Sequence, residues 1–127
     1  MGGRNETRLY ALRGAITVER NDAESILEAT RELVGELMVR NQLEPDQMVS
    51  CIFSCTGDLD AEFPAVAARD LGLDNVPLLC AREIDVPGAL ERVIRVLLHY
   101  YGDGDHNVQH VYLREAKQLR SDLDAAQ

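Results

Sequence analysis

The 127-residue chain has no tryptophan, three cysteines, and 13 basic residues against 22 acidic ones. Each shortage excludes something. The charge balance leaves a net −9 with neutral histidines and a pI near 4.7. A nucleic-acid binder needs a basic face to release counterions from phosphates, and an anionic membrane surface asks for the same. Both partners are therefore excluded, and any anion must be held by a local arginine cluster acting against the global field. Cys51, Cys55 and Cys80 are an odd number in a chain long enough to build a core without staples. Reduced thiols and a cytoplasmic location are expected. The longest apolar runs, such as Val76-Pro77-Leu78-Leu79-Cys80-Ala81, are too short to cross a bilayer. The polar start predicts no signal peptide, and Glu6 stands where myristoylation needs Ser or Thr.

What is present reads as one globular domain. Hydrophobic residues make up 46% and charged residues 28%, which excludes disorder as a description of the whole chain. A chain of this length buries roughly two-thirds of its unfolded surface as a single domain. We expect a loose tail over residues 1–8, the domain over 9–120 and an acidic tail over 121–127. Residues 9–18 predict a strand apolar on both faces, so Arg13 stands out as a permanent cation among small apolar neighbours. Asn21-Asp22-Ala23-Glu24 reads as a capping box with Asn21 as N-cap. Ile26, Leu27, Thr30, Leu33, Val34, Leu37 and Met38 then predict an amphipathic helix to about Asn41.

Strands are expected over 48–55, 76–80 and 108–113, with a short helix from Pro64 to Gly72. The stripe Leu90, Val93, Ile94, Leu97, Leu98 and Tyr101 predicts a second long helix, capped by Asp85 and ended by Gly102. Four or five strands alternating with helices, with no linker or repeat, make an α/β or α+β layered domain. A sheet this small would gain from oligomerisation to cover it.

Familiar catalytic and metal signatures fail in turn. Cys51 and Cys55 on one strand lie about 13 Å apart, too far for one tetrahedral zinc with His106 and His110. Asp103-Gly104-Asp105-His106-Asn107 opens like a calcium loop but then has Val108 and Arg114 where Gly and Glu are required. No Gly-rich phosphate loop is present. Ser54 and Cys80 lack a recognisable His and acid partner for nucleophilic catalysis. There remain Arg13, Arg82-Glu83 after a buried strand, and Arg95 beside an apolar stripe. Taken singly, each has an ordinary reading, such as a surface pair between Glu91 and Arg95 at helical spacing.

Together they form a pattern. Leu12-Arg13-Gly14-Ala15-Ile16-Thr17-Val18-Glu19, Cys80-Ala81-Arg82-Glu83, Val93-Ile94-Arg95-Val96 and His110-Val111-Tyr112-Leu113 closely resemble the AroH-type chorismate mutases. So do Ser54-x-Thr56-x-Asp58-Leu59 and Phe63-Pro64-Ala65 with Arg69. The blocks keep their order from about Leu9 to Leu123.

The resemblance implies an α+β fold with a mixed sheet and helices on one side, assembled as a trimeric pseudo α/β-barrel. It implies rearrangement of chorismate to prephenate on the route to phenylalanine and tyrosine. Such a pericyclic step needs no nucleophile, metal or cofactor, only the folded substrate conformer and stabilisation of developing charge. Arg95 matches the arginine that donates to the ether oxygen, and Glu83 the carboxylate that accepts from the substrate hydroxyl. Arg13 matches a carboxylate-binding arginine, Tyr112 a phenol on a carboxylate, and Cys80 the residue near the hydroxyl. Leu79, Cys80, Ala81, Arg82 and Glu83 form one wall. By the same resemblance Phe63, Ala65 and Arg69 would face it and Leu119 and Arg120 would close the site, with the two sides coming from different subunits. Val66 stands where a lysine can occur, and Leu79 where a threonine can. Both departures bear on affinity and on-rate. The competing reading is a non-catalytic trimeric module that binds a small carboxylate at its interfaces. A purely structural domain, with Arg13 in an internal ion pair, is the third.

Overall fold

The computed structural model describes residues 6–119. Strand β1 (Thr7–Thr17) leads through helix α1 (Ala23–Asn41) to β2 (Met48–Cys55), then helix α2 (Pro64–Asp70) leads to β3 (Leu78–Arg82). The long strand β4 (Val93–Asp103) and the short β5 (Val111–Leu113) complete the sheet. Its order is β3-β2-β4-β1-β5, with β4 antiparallel to both β1 and β2, and the outer pairs β2–β3 and β1–β5 parallel. The fold is a mixed α+β one.

This topology places both helices on one face. The crossovers β1-α1-β2 and β2-α2-β3 step in the same direction across the sheet. Right-handed connections therefore send α1 and α2 to the same side. Ile26, Ala29, Leu33, Val34 and Leu37 of α1 and Ala65 and Ala68 of α2 join Leu12, Ile16, Cys51, Phe53, Ile94, Val96, Leu98 and Val111 in one core. Gly14 sits under α1, where an added Cβ would meet Val111 O at 3.0 Å and Leu33 Cδ1 at 3.1 Å. Glycine here lets the helix approach the strand closely.

The other face carries the alternate residues, and neither α1 nor α2 lies on it. Register stacks them in rows across the strands. One row runs Ala81, Ser54, Arg95, Ala15, Tyr112, and the next runs Leu79, Ile52, Leu97, Arg13. Leu9, Leu79 and Tyr101 are exposed on this face. The last described segment, a 3-10 turn at Arg114–Ala116 and the residues to Leu119, folds back over one end of it. Ala116 and Leu119 pack there on Ala15, Val93 and Tyr112. Arg114 holds that turn: its guanidinium reaches Glu32 at 2.8 Å and Thr17 O at 3.2 Å.

Several expectations are corrected. The second long helix does not exist; residues 93–103 are the central strand. Its burial alternates with period two, from Ile94 buried and Arg95 half-buried through to Tyr100 buried. Because Leu97 and Tyr101 add apolar groups on the open face, the run also mimics a helical stripe; its β-branched and aromatic content and its central position decide for a strand. Asp22, not Asn21, caps α1, accepting the Ser25 N–H at 2.7 Å. Asn21 instead ties down the loop after β2 through Asp60 and Ala61. β3 starts and ends two residues later than expected, and β5 starts three later.

Gly35, inside α1, has nothing within 4 Å of an added Cβ. Gly35→Ala should therefore raise the unfolding free energy by about 0.5–1 kcal/mol in urea titration. A second test concerns the core thiols. Burial pushes Cys51 and Cys55 up to about 12 from the usual 9.0, with Cys80 nearby adding to it, and burial likewise raises Tyr100 to about 12. Above pH 9 the unfolded chain loses protons that the native state keeps, so it binds fewer and stability falls with rising pH. The urea midpoint should decline steadily between pH 9 and 11, and Cys51 and Cys55 should resist alkylation at pH 8 until the chain unfolds.

Candidate active site

Glu83, one residue past β3, anchors the cluster. Its backbone N–H donates to Cys55 O at 2.9 Å, extending the β2–β3 ladder and swinging its side chain over the open face. There Arg95 Nε donates to Glu83 Oε2 at 2.9 Å and Ser54 Oγ donates to the same oxygen at 2.7 Å. The carboxylate is largely sheltered, with 15% of its side chain exposed, while the Arg95 side chain is 42% exposed. Arg95 thus pairs with Glu83, and Glu91 lies instead beside Arg92. The pair cannot be read from helical spacing, because both groups sit on sheet elements.

Arg95 also lines a depression of about 220 Å³ with Arg13, Ala15, Ile52, Ser54, Leu97 and Tyr112. Arg13 is half-buried on a strand of small apolar residues, and among the described residues no carboxylate lies within ion-pair distance of its guanidinium. Its backbone N–H donates to His110 Nδ1 at 3.0 Å, which fixes β1 against the approach to β5. An unmatched guanidinium facing a cleft beside a second one is an anion-binding arrangement. Leu119 packs against the cluster that holds Tyr112 and Ala15.

The strand carrying Arg95 is pinned at its start. Thr56 Oγ1 accepts the Val93 N–H at 3.0 Å and donates to Asp58 Oδ1 at 2.6 Å, while Asp58 accepts the Arg92 N–H. Arg92 adopts φ 50° in this turn and sends its Nε to Val18 O at 3.0 Å. The register of β4, and with it the place of Arg95, is held from both neighbouring strands.

Of the remaining candidates, those on β3 divide between the two faces. In β3 the alternation turns Leu79 and Ala81 toward the open face and Cys80 and Arg82 toward the helix face. Phe63, exposed at 67%, lines a second concavity of about 360 Å³ with Cys55, Leu59, Cys80, Ala81 and Arg82. Arg82 donates to Gly57 O at 3.1 Å at its rim. Ala65 is on the buried face of α2, Arg69 is exposed on that helix, and Arg120 lies outside the described residues. One chain therefore brings Arg13, Glu83, Arg95 and Tyr112 together, and places Phe63, Cys80 and Arg82 around a different hollow.

Residues 9–123 match the family model of chorismate mutase type I. The chain belongs to the type I chorismate mutases. It is 50% identical over 118 residues to chorismate mutase AroH of Thermus thermophilus, covering 91% of this chain and 97% of the relative. It is 41% identical over 117 residues to chorismate mutase AroH of Bacillus subtilis, covering 91% and 92%. Among solved structures it superposes on a chorismate mutase from Clostridium thermocellum with TM-score 0.81 at 46% identity, covering 86% of this chain and 98% of that one.

Within this chorismate mutase fold, sequence reasoning left Ser54 without a role beyond its block, and gave none to the Thr56–Asp58 clamp. The signal for both was a run of hydroxyl and acid residues at a strand end, next to a carboxylate that pairs in space and not in sequence.

Proposed function

We infer that this member of the type I chorismate mutases acts as an isomerase, converting chorismate to prephenate in the biosynthesis of aromatic amino acids. We propose that the open-face cluster is the catalytic half of its site. The observation that carries this is the pair of guanidiniums on one cleft, Arg13 without a carboxylate partner among the described residues and Arg95 engaged with Glu83 through Nε. A dianionic substrate supplies the missing charge, and within a Debye length of about 8 Å the local field outweighs the net −9 of the chain.

The chemistry follows from what the side chains can do. As the ether C–O bond lengthens, negative charge grows on oxygen. Arg95, always charged and with its Nη nitrogens uncommitted among the described residues, donates to it. Glu83 Oε1 accepts from the substrate hydroxyl and offsets charge developing on the ring. Arg13 and Tyr112 hold a carboxylate and so select the folded conformer in which the new C–C bond can form. No group of the protein needs to form a covalent bond.

The second part of the proposal concerns assembly. The hollow of Phe63, Cys80 and Arg82 complements the open face when it belongs to a neighbouring copy, with Arg69 at the rim and Leu119 beside the substrate. Two features support this reading. The open face leaves Leu9, Leu79 and Tyr101 uncovered, and the two candidate clusters diverge within one chain. A homotrimer with interface sites, closed as a pseudo-barrel, satisfies both. Three free thiols fit the cytoplasm, and among the described residues no helix is long and apolar enough to cross a membrane.

Loss of chorismate absorbance tests the first part. Arg95→Ala should lower kcat at least about a hundredfold, because a charged preorganised donor is lost. A folded Arg95→Ala variant at wild-type rate would remove Arg95 from the mechanism. Mixing tests the second part. Arg95→Ala and Phe63→Asp chains, each slow alone, should regain roughly a quarter of the wild-type rate when co-assembled, since random pairing rebuilds intact sites. No regain from mixed trimers would place both halves of the site in one chain.

A further inference from the structure

Ser54 and Arg95 face each other as direct partners across the β2–β4 ladder, and both donate to the same oxygen of Glu83. An arginine and a carboxylate left to themselves favour a two-pronged pair, in which both carboxylate oxygens and two guanidinium nitrogens are used. Here the pair is single-pronged. Among the described residues only Nε of Arg95 is engaged, and Glu83 Oε1 has no donor.

We infer that Ser54 is a positioning residue that holds the pair in this open geometry. Its hydroxyl, 2.7 Å from Glu83 Oε2, supplies the second donor that Arg95 would otherwise give. The carboxylate is thereby kept from closing on the guanidinium fork. Two groups stay available together: Glu83 Oε1 as an acceptor and the Arg95 Nη nitrogens as donors. The inference rests on the proposed catalytic use of Glu83 and Arg95. It adds that their mutual attraction, unrestrained, would work against that use, because a closed pair must be broken before substrate can be engaged.

The location suits this task. Ser54 is half-buried on a central strand with Arg95 and Ala81 on either side in its row. Its backbone is committed to the sheet, so its side chain has few alternatives. The neighbouring Thr56–Asp58 clamp fixes the start of β4. The two donors to Oε2 thus come from strands whose relative register is already set.

The test uses four single variants and one double variant of the full chain, each first checked for folding by circular dichroism. Ser54→Ala should lower kcat on the order of tenfold, the usual weight of a hydrogen bond to a charged group, with KM changed less than about threefold. Ser54→Thr and Ser54→Val have the same shape on a strand and differ in the hydroxyl. The Thr variant should regain most of the rate and the Val variant should stay slow. Equal rates for Thr and Val, or a Ser54→Ala effect confined to KM, would overturn the role of the hydroxyl. In a Glu83→Ala background, adding Ser54→Ala should cost nothing further, because the hydroxyl acts only through the carboxylate. A full multiplicative loss there would overturn the inference while leaving Glu83 catalytic. A Glu83→Ala variant with wild-type kcat would instead overturn the reading of the site itself.

Discussion

The arrangement turns on one pairing, β4 held antiparallel between β1 and β2. Every cross-strand relationship that matters at the site passes through it: Arg95 opposite Ala15 on one side and Ser54 on the other, Leu97 opposite Arg13 and Ile52. A slip of one residue would turn Arg95 into the helix-covered core and bring Ile94 or Val96 to the cleft. The fold guards against this in two ways. Ile94, Val96, Leu98 and Tyr100 are all buried beneath the helices, so a slipped register would expose four large apolar side chains. The Thr56–Asp58 clamp adds a polar lock where the strand begins.

A division of labour between the two faces follows. The helix face contains the close approach of α1 at Gly14 and most of the buried apolar side chains, and it determines stability. The open face has short side chains between its charges, Ala15 and Ser54 beside Arg95, which leaves room for a small ligand next to the guanidinium. Charged groups are tolerated there because they are part-exposed, and because Glu83 and Arg95 offset each other. In the proposed site, the same pair faces a general tension: groups that need each other for stability must stay partly unsatisfied to act on something else.

Much of this was legible from residue patterns. Helix α1 has clean periodicity and ended where expected, at Asn41. Arg13 was visible as a local inconsistency, a cation in an apolar strand, and such breaks of pattern tend to mark function. The blocks around Arg13, Glu83, Arg95 and Tyr112 carried the family resemblance without any structure. Other features could not be read. Residues 93–103 carry apolar groups on both faces, so helix and strand periods both fit the sequence, and only the sheet around them resolves the choice. The cap of α1 slipped by one because Asn21 and Asp22 are both good caps, and the decision rests on a distant loop at Asp60 and Ala61. The Ser54–Glu83 contact joins residues 29 apart and depends on the parallel β2–β3 register, which no local signal encodes.

The position of β1 has a consequence for how the molecule forms. Its two neighbours in the sheet are β4 and β5, so Thr7 pairs with Asp103 and Gly14 with Val111. During synthesis the first strand therefore waits for nearly the whole chain to emerge before it finds either partner. β2, α2 and β3 can associate earlier, as a local β-α-β unit, but the strand bearing Arg13 cannot join them directly. Pairings this remote along the chain form late and slowly. The cleft is thus among the last features to appear as the protein folds, and until then an apolar first strand is open to chaperones and to wrong partners.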